Sequence, residues 1–147
     1  MLKTVAAFTL GVVLPVTLLA APTKARPTAD AVSACYAAVK DNDAEAQGKC
    51  LNLELDMVQG AYKDVTDRVA SLAKALDKPT GTRTRWNKFI LAGQSFDTFV
   101  KRECDFVANT TKGRRQLEVN AELSCKIGYY RLRTSILTNR HLSQSRF

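Results

Sequence analysis

From Ala44 to Asp77 the chain has no proline and only two glycines, Gly48 and Gly60. Within it, Leu51, Leu55, Val58, Tyr62, Val65, Val69, Leu72 and Leu76 recur at alternating spacings of four and three, with charged residues on the other faces. That period predicts one long amphipathic helix. Asp43, in the polar turn Asp41-Asn42-Asp43, is placed to cap it. A shorter helix is expected upstream, from about Asp30 to Lys40, after a short linker at 26–30. Lys78-Pro79-Thr80-Gly81-Thr82 breaks the long helix. A third helix is expected from about Arg83 to Ala108, with Trp86 near its start. Phe89, Gly93, Phe96, Val100, Cys104 and Val107 form its expected buried stripe. After the loop Asn109–Gly113, a last helix is expected from about Arg115 to Arg140. Its expected inner face is Leu117, Ala121, Cys125, Leu132 and Ile136, with Gly128 where close packing suits a small residue. No alternating stretch is long enough for a sheet. The pattern predicts an all-α fold: a small helical bundle of one short and three long helices. The heptad-like seam also fits a coiled-coil dimer; the cysteines and further helices favour the bundle.

Ahead of these helices stands Met-Leu-Lys and then an uncharged apolar run from Val5 to Ala21. A basic start, an apolar stretch and a small-residue end form a signal-peptide pattern, with cleavage expected near 20–25. Pro22 disfavours a cut after Ala21. The same run read as a membrane anchor is short, at 17 residues, and is interrupted by Gly11 and Pro15. Residues 1–25 are therefore read as the signal peptide and 26–147 as one helical domain. The expected location is periplasmic or secreted, with no stable membrane insertion after cleavage.

All four cysteines, Cys35, Cys50, Cys104 and Cys125, follow the leader. An exported chain meets an oxidising compartment, so an even count predicts two disulfides. Four cysteines permit three pairings. Helices joined by a short turn pack antiparallel, and positions equidistant from the turn face each other. The midpoint of Cys35 and Cys50 falls in the 41–43 turn, and that of Cys104 and Cys125 at Arg114/Arg115. This symmetry favours Cys35–Cys50 and Cys104–Cys125. The close Cys-x2–4-Cys knuckles of a zinc site and the Cys-x-x-Cys of a redox site are absent from the sequence.

Charge changes the picture further. The 22 basic and 14 acidic residues give +8; the leader holds Lys3, Lys24 and no acid, so the remainder keeps +6. A basic chain favours anionic partners, although charge also serves solubility alone. Lys112, Arg114 and Arg115 cluster in the loop before the last helix, at a helix start where cations are mildly unfavourable. They are a candidate partner-binding surface, and the acidic turn at Asp41 and Asp43 is a second. The lone His141 lies near the carboxyl terminus, and no triad, paired-carboxylate site, phosphate loop or calcium loop is complete. Glu54/Asp56 and Glu118/Glu122 read as solvated pairs. No catalytic residue, metal or cofactor is expected, and the chain reads as a binding protein.

The cysteine-bearing segments resemble the LprI-type lysozyme-inhibitor family of bacterial exported helical domains, over about Cys35 to Ile136. The match lies in Cys35 and Cys50 followed by Leu51, in Val58-Gln59-Gly60-Ala61-Tyr62, in Gln94, Phe96, Phe99 and Cys104, and in Cys125, Tyr130, Arg133 and Ile136. Phe96 stands where the family has tryptophan, Gln94 is displaced by one, Val100-Lys101 replaces Arg-Asp, and Tyr130 replaces threonine. The resemblance implies inhibition of a lysozyme or related peptidoglycan hydrolase, such as a lytic transglycosylase, in the envelope. The alternative reading is a basic module that binds anionic envelope polymers: lipopolysaccharide, nucleic acid or a peptidoglycan-associated polymer.

Overall fold

In the computed structural model, the structure describes residues 30–39 and 43–143. The leader reading and Asp41 lie outside the described residues. Helix α1 spans Ala31–Ala38, α2 Ala44–Asp77, α3 Thr84–Thr110 and α4 Arg115–Leu137, with no strand among the described residues. The all-α bundle of one short and three long helices is therefore the fold.

The sequence explains the boundaries. The Asp43 carboxylate accepts from the Glu45 and Ala46 backbone N–H groups at 3.0 and 3.3 Å, capping α2. Asp30 caps α1 through the Val32 N–H. After α2, a 3₁₀ turn over Lys78–Thr80 ends at Gly81, whose φ of 65° suits a residue without a Cβ. Asp77 begins the next helix from the far side of that turn. Its carboxylate accepts from the Arg85 and Trp86 N–H groups at 3.2 and 3.0 Å, so it supplies the cap that Arg83 lacks. Beyond α4, the chain widens into a π-helical turn over Thr138–Leu142.

Both disulfides form as the hairpin symmetry predicts: Cys35–Cys50 with Cα atoms 5.6 Å apart, and Cys104–Cys125 at 5.5 Å. The short α1 lies against α2, while α2, α3 and α4 pack against one another. Leu51, Leu55 and Val58 of α2, Leu123 and Ile127 of α4 and Cys35 of α1 form the main core. Further along, Tyr62, Phe96 and Tyr130 meet with ring centroids 5.1–5.9 Å apart, and the Arg133 guanidinium lies 5.5 Å over Phe96.

Three expectations about faces need correction. The α2 seam holds from Leu51 to Leu72, but Leu76 is exposed and Ala73 and Asp77 are buried instead. A 3.5-residue pattern drifts by about 20° per heptad on a straight helix, so its far end leaves the core. On α4, the buried residues are Asn120, Leu123, Ile127 and Leu137, whereas Leu117 and Leu132 are exposed. This helix is apolar on several sides, and a stripe drawn through Cys125 follows the side facing α3, not the side facing α2. Gly128 meets nothing within 4 Å of an added Cβ. The close approach is at Gly48, where a Cβ would lie 2.6 Å from Gln116 Nε2 and 2.8 Å from Asn120 Oδ1.

Candidate functional site

The helix directions bring the two candidate surfaces to one end of the bundle. α2 leaves that end, α3 returns to it, and α4 leaves it again. The start of α2 and the loop before α4 therefore become neighbours. A shallow cleft of about 740 Å³ lies between them. One wall is Asp43, Ala44 and Glu45; the other is Gly113, Arg114, Gln116 and Leu117. Asp43 and Arg114 thus share a cleft, while Lys112 and Arg115 are exposed on the loop and helix start beside it. Glu45 and Gln116 join the site, and so does Leu117, which the hydrophobic pattern places on the inner face of α4 instead. A pairing across two loops carries no local signal.

The cleft floor is fixed by buried polar contacts. Asn120 donates to the Ala44 carbonyl at 2.8 Å, and Gln116 donates to Asn120 Oδ1 at 3.0 Å. Gly113, at φ 132°, takes a left-handed-side conformation suited to glycine, and Leu117 closes over it. Behind each wall stands a disulfide: Cys35–Cys50 spans the α1–α2 turn and Cys104–Cys125 the α3–α4 loop. Among the described residues, Lys112, Arg114 and Arg115 have no ion-pair partner. Their charge faces solvent and is available to a partner.

Other charged groups do structural work. Glu54, read from the sequence as solvated, has a side chain only 13% exposed and pairs with Arg131, which also reaches Asp30. Glu122 pairs with Lys126 one turn later on α4. Partial burial pushes the Asp97 carboxyl up, against the lowering effect of Arg133, and burial likewise raises the Tyr62 and Tyr130 phenols. His141 is exposed on the closing turn. Among the described residues, no three His, Cys, Asp or Glu side chains gather as a metal-binding group. No described helix is long and apolar enough to cross a membrane.

Compared with models of protein families, with curated proteins and with solved structures, the chain shows no match. Several residues that carry the resemblance to the LprI-type family, Tyr62, Phe96, Tyr130 and Arg133, meet in the bundle interior. They are packing residues, and packing residues speak to fold before target.

Proposed function

We propose that this chain is an exported binding protein, not an enzyme, that inhibits a lysozyme-like or lytic-transglycosylase-type peptidoglycan hydrolase in the bacterial envelope. Two disulfides fit an oxidising compartment, and with the leader pattern they support a periplasmic or secreted location. The observation that carries the reading is the convergence, at one end, of the start of α2 and the loop before α4, each backed by a disulfide. Surfaces held in place before binding lose little entropy on docking, which is what an inhibitor of a rigid enzyme cleft requires.

The end presents both signs of charge. Asp43 and Glu45 suit a basic lysozyme; Lys112, Arg114 and Arg115 suit a less basic enzyme of the envelope. Because the chain keeps +6 without its leader, approach to a basic animal lysozyme meets long-range repulsion. The reading therefore favours the less basic, bacterial lytic enzyme.

The test follows clearing of peptidoglycan by an animal lysozyme and by a bacterial lytic transglycosylase, with the oxidised protein added at several salt concentrations. Stoichiometric slowing of the transglycosylase is the expected result. No slowing of either enzyme by a helical, oxidised protein overturns the reading. The unpaired loop cations support a second reading, binding of anionic envelope polymers. That mode predicts steep weakening with salt, whereas a docked inhibitor loses less.

A further inference from the structure

Helix α3 carries a surface that neither the core nor the two-loop end uses. Leu91, Phe99 and Phe106 are 61%, 47% and 62% exposed. Their spacings of eight and seven keep them within about 80° on one side of the helix, as a row with a slow twist. The row runs for about 22 Å at 1.5 Å per residue. Ser95, Lys88 and Arg102 lie within the same arc. Tyr129 of α4 packs edge-on against Phe99 with centroids 5.2 Å apart, and exposed Leu132 follows one turn later, widening the apolar surface.

Cations outnumber acids on this face. The acids of α3 are Asp97, Glu103 and Asp105. Half-buried Glu103 borders the patch, sharing a shallow groove with Ser95, Phe99 and Arg102; helical spacing places half-buried Asp105 beyond its other edge and Asp97 away from it. Lys88 and Arg102 have no ion-pair partner among the described residues. Large apolar side chains interleaved with cations that outnumber the one bordering acid, Glu103, complement an anionic lipid interface: the rings enter the acyl boundary and the cations meet the headgroup phosphates.

We propose that the outward face of α3 seats the protein on an anionic phospholipid bilayer, lying in the interface and not across it. A second copy centred on Ser95 fits this face poorly. An antiparallel pairing centred on Ser95 would stack Leu91 on Phe99 but set Lys88 against Arg102, and a parallel pairing would set each cation against itself. The inference stands on α3 and its neighbours on α4, independent of hydrolase docking. It predicts an orientation in which the two-loop end stays free.

The experiment is flotation of the oxidised, exported protein with vesicles of phosphatidylethanolamine and phosphatidylglycerol in equal parts, against vesicles of phosphatidylcholine alone. Binding to the anionic vesicles is expected. Leu91→Ser with Phe106→Ser should weaken it roughly tenfold or more. Lys88→Gln and Arg102→Gln should each weaken it about fivefold, with the loss greatest at low salt. These side chains are exposed, and circular dichroism verifies the helical fold of each variant. Absence of binding to anionic vesicles overturns the proposal. Binding that survives both pairs of substitutions also overturns it and moves the lipid contact elsewhere. A concentration-dependent dimer in sedimentation velocity, dissolved by the Leu91/Phe106 variant, overturns it in favour of a second copy.

Discussion

Asn120, on α4, holds the backbone carbonyl of Ala44, 76 residues earlier at the start of α2, through a 2.8 Å bond from its side-chain amide. Its own oxygen accepts from Gln116, and the residue is 1% exposed. Replacing it with alanine leaves the Ala44 carbonyl without its partner in a dry place. The cost should be about 2 kcal/mol, read from urea unfolding. The two-loop cleft should also loosen, with faster amide exchange at the start of α2.

Gly48 sharpens that test, because an added Cβ meets the same amide group. In wild type, Gly48→Ala should destabilise, since Asn120 cannot yield without releasing Ala44. In an Asn120→Ala background the obstacle is gone and Gln116 can swing away. There the substitution should turn stabilising by roughly 1 kcal/mol, the ordinary helix preference for alanine. A Gly48→Ala effect of the same sign in both backgrounds would refute this coupling.

Arg131 links three helices, reaching Asp30 at the start of α1 and Glu54 on α2. The two carboxylates differ in setting: Asp30 is 60% exposed at its side chain and Glu54 13%. Solvent screens the first pair, while loss of the second leaves a largely buried charge unpaired. Arg131→Met should cost about 1–2 kcal/mol, discounted for the exposure of the guanidinium. In double-mutant cycles the coupling to Glu54 should exceed the coupling to Asp30. Equal couplings would mean that burial does not set the strength here.

What the sequence made legible follows from the range of each signal. The four helices, the cap at Asp43, the break at Pro79-Thr80-Gly81 and both disulfides depend on neighbours within a turn or a hairpin. The inner face of α4 was misplaced because Leu117, Leu123, Ile127, Leu132 and Leu137 distribute apolar surface around the helix. Only contact with α2 decides which side is buried. Arg131–Glu54 and Asn120–Ala44 were invisible for the same reason, being pairings between helices distant in sequence. At the candidate site, Arg114 and Asp43 were each legible as charged loop residues, but their common cleft required the bundle's directions.

The Cys104–Cys125 disulfide closes the α3–α4 hairpin behind the candidate loop, with a separation of 21 residues. Cys104→Ala with Cys125→Ala should cost about 3 kcal/mol by the loop-entropy argument. The loss should be local before it is global: amides from 109 to 117 should exchange faster while those near Val58 keep their protection. If the loops act as a preformed docking surface, this variant should lose target affinity at temperatures where the bundle remains folded. Uniform acceleration of exchange along the chain would show instead that the disulfide acts only on overall stability.

Asp77 gives the pH prediction. Burial works against its charge, but the N–H groups of Trp86 and Arg85 and the Arg85 guanidinium outweigh it and hold the carboxyl below its ordinary value of 3.8. A carboxyl with a lowered folded pKa contributes stability that is fully present above 3.8 and is lost as pH falls through the folded value. Asp97 works in the opposite direction, since its raised folded pKa favours the protonated folded state as pH falls. The two are separated by following the difference in thermal midpoint between wild type and Asp77→Asn, in which Asp97 cancels. That difference should be constant at neutral and mildly acid pH, with wild type the more stable. It should shrink below pH 3.8 as the wild-type carboxylate takes up its proton. A gap that persists unchanged into strong acid would mean that the Asp77 oxygens cap α3 by geometry alone and that their charge contributes nothing.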